Sequence, residues 1–177
     1  MEHLTRGELE AGLDGIRQSP RDTGVIRLIV RRPAEDEREI LDEGNIDLQV
    51  GLVGDTWSDD GPDPDRQITV TNARVIELLA QAPDRWALAG DQLYVDFDLS
   101  QTNLPAGTQL AVGSAVLEVT SEPHTGCAKF RRRFGPDALS FVNSDVGKAL
   151  RLRGMNTKVV QAGTVRPGDR IRKYPTV

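Results

Sequence analysis

The fold is decided by a stretch that reads QLAVGSAVLEVT over residues 109–120. Its two apolar β-type runs flank Gly113-Ser114, a pair typical of a turn or bulge between strands. Many strands without a helix between each pair argue against a doubly wound parallel sheet. They favour a mostly β fold, with an antiparallel sheet in a closed or partly open barrel and a few short peripheral α-helices. Comparable short runs lie at residues 25–30, 46–50, 68–71, 93–97, 158–160 and 170–172.

Helical patterns occur in three segments. Thr5 and Glu8 have the spacing of a capping box and begin an amphipathic helix near the N-terminus. Residues 73–82 predict a second helix, and residues 136–150 predict two short helices because polar residues interrupt their apolar spacing. The predicted organisation is an N-terminal helical extension at residues 1–20 and a barrel domain at residues 24–173.

The composition limits the classes of partner and site. The chain has 177 residues, and 22 Lys and Arg against 27 Asp and Glu give a formal net charge of −5. Duplex nucleic acid and anionic membranes bind broad basic faces, so we expect neither as a partner. Two histidines and one cysteine, Cys127, are too few for a Cys/His zinc site or an iron–sulfur cluster.

The same inventory predicts a cytoplasmic protein. A single cysteine excludes an intrachain disulfide, which is typical of a reducing compartment. The first residues lack the basic and apolar run of a secretory signal. No apolar stretch approaches the roughly 18–20 residues that span a bilayer.

The chemistry is concentrated in the segment SEPHTGCAKFRRRF, residues 121–134. Cys127 follows an apolar strand there, with Lys129 and the arginines at 131–133 close behind it. The rest of the chain has a net charge of −9, since 18 of the 22 cations and all 27 carboxylates lie outside residues 124–134. One cation about 6 Å from the sulfur, at an effective dielectric near 20, favours the thiolate by about 2.8 kcal/mol, or about two pKa units.

This charge pattern predicts an ionised thiol. A thiolate at Cys127 can be a nucleophile, a persulfide carrier or a soft-metal ligand. The neighbouring cations can also hold a phosphate-bearing cofactor.

Plainer interpretations of these residues stay open. A lone cysteine is often a small buried hydrophobe. His124 can cap a turn or face solvent instead of serving Cys127 as a base, because His-x-x-Cys spacing does not ensure contact. The arginines at 131–133 cannot all face one way in a strand, so at least one is a solvated surface charge. Asp55 follows Gly54 and is by default a turn residue.

The cysteine segment EPHTGCAKF, residues 122–130, resembles that of the MOSC family, which is named for the C-terminal domain of molybdenum cofactor sulfurases. The resemblance covers roughly residues 24–173. It departs from the family at residues 97–100, where members often have a Glu-Asn pair, and at Gly126, where many have proline. The N-terminal half of the longer eukaryotic members has no counterpart. Further similar elements are GLVGD at residues 51–55, RQITV at 66–70, LPAGTQLAVG at 104–113 and GTVRPGDRI at 163–171.

The resemblance implies a β-barrel in which Cys127 carries sulfur or coordinates molybdenum. It implies the molybdenum cofactor as the candidate cofactor and, at the level of the family, pyridoxal phosphate binding. A pterin dithiolene supplies two sulfur ligands, so one protein thiolate suffices at the metal. The implied partner is a sulfur donor resembling a cysteine desulfurase, or a separate redox protein. The candidate cofactor-binding residues are Lys129, Arg131, His124, Thr125 and Asp55.

Three functions are compatible with this sequence. The first is a sulfur carrier with a persulfide on Cys127, where Lys129 and Arg131 stabilise the thiolate. The second is a molybdenum cofactor enzyme that reduces N-hydroxylated compounds with Cys127 as a metal ligand. The third is a module that binds a small anion at the barrel mouth without catalysis. The missing N-terminal half favours the first over the second.

Overall fold

The structure, a computed structural model, describes residues 1–59 and 62–175. Within these ranges, none of the helices combines the length and apolar composition that crossing a membrane requires. The strands are β1 (Thr23–Arg31), β2 (Glu39–Ile40), β3 (Gly44–Asp47), β4 (Gly51–Leu52), β5 (Ile68–Asn72), β6 (Leu93–Asp96), β7 (Gln109–Val112), β8 (Ala115–Val119), β9 (Met155–Gln161), β10 (Gly163–Val165) and β11 (Arg170–Lys173). The helices are α1 (Arg6–Ala11), α2 (Leu13–Arg17), α3 (Ala73–Ala80), α4 (Ala128–Phe134), α5 (Pro136–Val142) and α6 (Asp145–Ala149), and 3-10 helices lie at Thr56–Ser58, Pro64–Arg66 and Pro83–Ala89.

Seven of these strands close into a mixed β-barrel. They run in the order β1-β6-β5-β9-β8-β7-β11, and β11 pairs with β1 to close the ring. Neighbouring strands in the ring are antiparallel except β5 and β6, which are parallel. A parallel pair needs a crossover connection, and α3 with the following 3-10 helix supplies it. The predicted barrel is therefore confirmed, with one parallel pair added to its antiparallel pairing.

Apolar side chains fill the interior of the barrel. Ile26, Val70, Leu93, Leu117 and Ile171 come from five different strands, and each is at most 1% exposed. Full burial of such a side chain stabilises the fold by roughly 1.5–3 kcal/mol. A small sheet in the order β10-β3-β4 contributes further apolar residues to this core.

The helices form a second layer with an apolar core of its own. Helical residues, 3-10 helices included, amount to about 29% of the chain and strands to 28%. The core of this layer joins Leu9 of α1, Ile76 of α3, Phe130 of α4 and Phe141 of α5 with Tyr94 from the barrel. The N-terminal helices therefore pack into the same layer as the helices that follow the cysteine segment.

Several local predictions can be compared with the structure. The capping box of Thr5 and Glu8 is present at the start of α1, and the helix at residues 136–150 is divided into α5 and α6. The strand predicted at residues 46–50 is wrong in its second half, because β3 ends at Asp47. The Asp47 carboxylate accepts the backbone N–H groups of Gln49 at 2.7 Å and Val50 at 3.0 Å, which stabilises a turn there.

The basic segment after Cys127 is a helix, so the strand assumed for the arginines at 131–133 is wrong. Phe130 and Phe134 lie one turn apart on α4, are both buried, and place their ring centroids 4.9 Å from each other. The helix ends at Gly135, whose φ of 97° favours glycine. Because the phenylalanines face the helical core, Lys129, Arg131 and Arg132 of α4 are exposed.

Candidate functional site

Cys127 is the N-cap residue of α4 and is exposed. The loop before it is fixed by Asn143, whose Oδ1 accepts the Gly126 N–H at 2.9 Å while its Nδ2 donates to the Gly126 carbonyl at 3.2 Å. A Cβ atom at Gly126 would lie 2.7 Å from Cδ1 of Leu139. Glycine therefore lets the loop pack closely on α5, which gives the thiol a defined position at the helix start.

The environment of Cys127 lowers the pKa of its thiol below the ordinary value. Partial burial acts the other way and raises the pKa. It is outweighed by the backbone N–H groups of Phe130 and Lys129 in the first turn of α4 and by the positive charges of Arg153 and Arg133. The start of α4 and two guanidinium groups thus favour the thiolate.

A buried ion network places one of these guanidinium groups. The carboxylate of Asp91 is fully buried and accepts hydrogen bonds from Nη1 of Arg153 at 3.0 and 2.8 Å. Nη2 of Arg153 donates to the Ala89 carbonyl at 3.1 Å, and its guanidinium lies 5.0 Å from the centroid of the Phe130 ring. The pair holds the pKa of Asp91 below its usual range although burial alone would raise it.

His124 completes this network. Its Nε2 lies 2.8 Å from Oδ1 of Asp91. Burial and the charge of Arg153 lower the pKa of His124, against the opposing effect of Asp91. The imidazole is therefore neutral at pH 7, and because a carboxylate only accepts, Nε2 carries the proton and Nδ1 does not.

Asp55 holds the chain segment next to Asp91. Its buried carboxylate accepts from Nε of Arg32 at 2.9 Å and from Nη2 of Arg32 at 2.6 Å, and also from the side-chain amide of Gln92 at 3.2 Å. Nη1 of Arg32 donates to the Gly90 carbonyl at 3.2 Å. Through Arg32 and Gln92, Asp55 therefore fixes the backbone on both sides of Asp91.

A group of arginines, which we call the guanidinium cluster, lies next to Gly90. It consists of Arg32, Arg38 and Arg133. A Cβ atom at Gly90 would lie 3.4 Å from Nη2 of Arg38 and 3.8 Å from Nη1 of Arg133. Burial and the charges of Arg133 and Arg32 lower the pKa of Arg38. Among the described residues, Nε of Arg38 is buried without a hydrogen-bond partner.

The loop before β2 forms ion pairs with Lys129 and Arg133 of α4. Nζ of Lys129 lies 2.9 Å from Glu35 and 3.6 Å from Asp36. Nη2 of Arg133 lies 3.0 Å from Asp36, and its Nη1 donates to the Leu88 carbonyl at 2.9 Å. Two cations of the basic segment are thus already paired with acidic residues of this loop.

The structure brings some of the candidate site residues together. His124, Thr125 and Cys127 lie on one loop, and the first two line a cavity beside it. Lys129 pairs with acidic residues, and Arg131 is exposed on α4. The cations that act on the Cys127 pKa are Arg153 and Arg133, where the sequence analysis pointed to Lys129 and Arg131.

Sequence reasoning missed the buried network. Asp91 and Arg153 are separated by 62 positions, and no local pattern indicates that they meet. Asn143 is one of the polar residues that interrupt the helical pattern at residues 136–150, and this pattern does not indicate its contact with Gly126. Arg133 belonged to the quoted basic run, and the spacing of Phe130 and Phe134 could have placed it on a helix beside the thiol.

Comparisons with known proteins agree with this fold. The model of the MOSC domain matches residues 54–172. The crystal structure of the YuaD protein from Bacillus subtilis is similar with a TM-score of 0.63 and 20% identity, over 86% of this chain and 97% of that one. YiiM from Escherichia coli is similar with a TM-score of 0.58 and 21% identity, over 86% of this chain and 71% of that one. No curated protein matches the chain.

The lowered pKa of the half-buried His124 predicts how stability depends on pH. Since the folded pKa of His124 lies below its ordinary value of 6.5, the unfolded chain binds the proton more tightly. The contribution to the free energy of unfolding is therefore present above about pH 6.5 and is lost as the pH falls below it. Urea unfolding between about pH 7 and about pH 5.5 should show this loss in the wild type.

The two histidines of the chain provide a matched comparison. His124→Gln keeps a donor for Asp91 and removes the titrating ring, so its unfolding free energy should change less over this pH range. His3→Gln should keep the wild-type slope. Equal slopes for His124→Gln and the wild type would contradict a lowered pKa of His124 in the folded protein.

Proposed function

Since the chain belongs to the MOSC domain family, we propose that it acts as a sulfur carrier, with a sulfane sulfur held as a persulfide on Cys127. The observation that supports this most directly is an exposed thiol whose pKa is lowered at the start of α4. Exposure lets a partner protein reach the sulfur, and the lowered pKa raises the fraction of the nucleophilic thiolate. We place this function in the cytoplasm, a reducing compartment in which a single thiol stays reduced.

The transfer step is a thiolate attack on a persulfide. The Cys127 sulfur attacks the outer sulfur of a donor persulfide, and an S–S bond to Cys127 forms as the donor's S–S bond breaks. The bonding electron pair leaves with the donor as a thiolate, so no external oxidant or reductant is needed. The outer sulfur then moves to an acceptor by the same reaction. A protein persulfide resembling that of a cysteine desulfurase is the donor.

The charges around Cys127 suit both the thiolate and the persulfide anion. Arg153 is held in place by Asp91 and Ala89, so its charge does not have to reorganise when sulfur arrives. The N–H groups of Phe130 and Lys129 add donors at the helix start. These groups lower the free energy of the anion that is present before and after each transfer.

We predict that Cys127 accepts one sulfur atom. After incubation with glutathione persulfide, intact-mass measurement should show the wild type heavier by one sulfur, and a thiol reductant should remove that mass. Cys127→Ser should gain none. In the double variant Cys127→Ser/Ser121→Cys the thiol lies on the same loop but away from the start of α4, and its sulfur uptake should be about tenfold slower.

Two results would contradict the sulfur-carrier proposal. One is a wild-type protein that gains no sulfur although alkylation shows that its thiol is reduced. The other is equal sulfur uptake by the wild type and by the double variant, because the environment at the start of α4 would then contribute nothing.

A second function is favoured by the guanidinium cluster. Arg38 lies beside Arg32 and Arg133, and among the described residues its Nε is buried without a hydrogen-bond partner, which suits an anionic group such as the phosphate of the molybdenum cofactor. Cys127 would supply one thiolate ligand to the metal, and Arg38 would hold the phosphate. When bound, this cofactor supplies the two-electron redox chemistry needed to reduce N-hydroxylated compounds.

Metal analysis tests this second function. Protein purified from a host that makes the molybdenum cofactor should contain molybdenum, measured by mass spectrometry of the element. Arg38→Gln should lower the molybdenum content about tenfold, since one charge-assisted contact is lost. Arg132→Gln, an exposed arginine on α4, should leave the content unchanged. A wild-type protein without molybdenum from such a host would contradict the cofactor function.

A further inference from the structure

A cavity of about 680 Å³ lies beside the loop that precedes Cys127. Its volume falls within the range of about 300–1,000 Å³ that is common for small-molecule sites. Its walls are the loop at residues 120–125, the junction of α5 and α6, and the turn before β9. Along the loop, the lining ends at Thr125, so the thiol lies outside the cavity.

The cavity wall carries a positive charge that the protein does not neutralise. Arg151 is half-buried there, and burial lowers the pKa of Arg151 without a charged neighbour among the described residues to offset it. Nη1 of Arg151 donates to the carbonyls of Leu99 at 3.1 Å and Leu104 at 2.6 Å. These bonds fix the guanidinium, and an uncompensated, partly buried charge of this kind is stabilised by an anion.

The hydrogen bonds of Arg151 indicate the shape of that anion. Among the described residues they all come from Nη1, which leaves the edge formed by Nε and Nη2 for a ligand. This edge presents two parallel N–H groups, which match the two oxygens of a carboxylate.

The remaining charges of the wall leave the cavity positive. Lys148 is a second, exposed cation on α6. Glu122, the carboxylate of the lining, forms an ion pair with Arg66. His124 donates to Asp91 and carries no charge at pH 7. An anion entering the cavity therefore meets two cations, and the one acidic side chain is already neutralised.

We propose that the cavity binds a small organic carboxylate. Its carboxylate group lies on Arg151, with Lys148 nearby, and its apolar body packs against a wall of Pro105, Ala106, Val142 and Met155. Such a site, mostly apolar with a few polar groups that fix orientation, is the usual arrangement of a small-molecule pocket. The proposal does not depend on chemistry at Cys127.

Isothermal titration calorimetry with matched probes tests the ligand class. 1-Naphthoate carries both a carboxylate and an apolar body, 1-naphthalenemethanol lacks the charge, and acetate lacks the body. We expect 1-naphthoate to bind about tenfold more tightly than the alcohol, because one charge-assisted contact to Arg151 is lost. Acetate should give no measurable heat. Equal affinity for naphthoate and the alcohol, or no binding of either, would overturn the proposal.

Variants test the location of the site. Arg151→Gln should weaken 1-naphthoate about tenfold, and Lys148→Met should weaken it about threefold. Lys158→Met removes a lysine that pairs with Glu118 away from the cavity and should change nothing. Unchanged binding by Arg151→Gln would overturn the proposal.

Circular dichroism would show whether Arg151→Gln folds. If it does not fold, a second variant, Ala106→Trp, tests the site instead. Ala106 is exposed at the cavity wall, so Ala106→Trp fills the space without disturbing a buried residue. It should abolish naphthoate binding, and retained binding would contradict the site. Cys127→Ser should bind like the wild type, which separates this test from that of the sulfur carrier.

Discussion

The buried carboxylate of Asp91 is the constraint on which the site depends. A fully buried charge is costly unless it is paired and hydrogen-bonded. Arg153 and His124 supply those partners, and they come from the turn before β9 and from the loop after β8. Satisfying one carboxylate therefore fixes three distant segments of the chain in one place. Removing any member would leave an unpaired polar group inside the protein.

The position of the thiol follows from this network. Arg153 lies over the Phe130 ring, so the ion network contacts α4, while Asn143 fixes the loop at Gly126. Together they place Cys127 at the start of α4, within the field of Arg153 and Arg133. The helical layer packs on the barrel, and Cys127 lies at the start of one helix of that layer.

Local patterns in the sequence predicted most strands of the barrel and identified Cys127 as the candidate reactive thiol. Alternating or β-branched runs marked the strands, and Thr5 with Glu8 marked the first cap, because these signals depend on near neighbours. The segment around Cys127 could be recognised from its charge. The pairing of Asp91 with Arg153 could not, since any of many carboxylates could meet any of many arginines once the chain folds. The arginines at 131–133 were assigned to a strand although they lie on α4. A run of one residue type shows neither helical nor strand periodicity, so it does not distinguish the two.

The most direct test of this account is the rate of alkylation of Cys127 by iodoacetamide as a function of pH. An apparent thiol pKa clearly below the free-cysteine value of about 8.5 is expected for the wild type. Arg133→Gln should raise that pKa, and Arg132→Gln, on the same helix, should leave it unchanged. A wild-type pKa at or above about 8.5, or no effect of Arg133→Gln, would contradict the claim that the start of α4 and its guanidinium neighbours ionise the thiol.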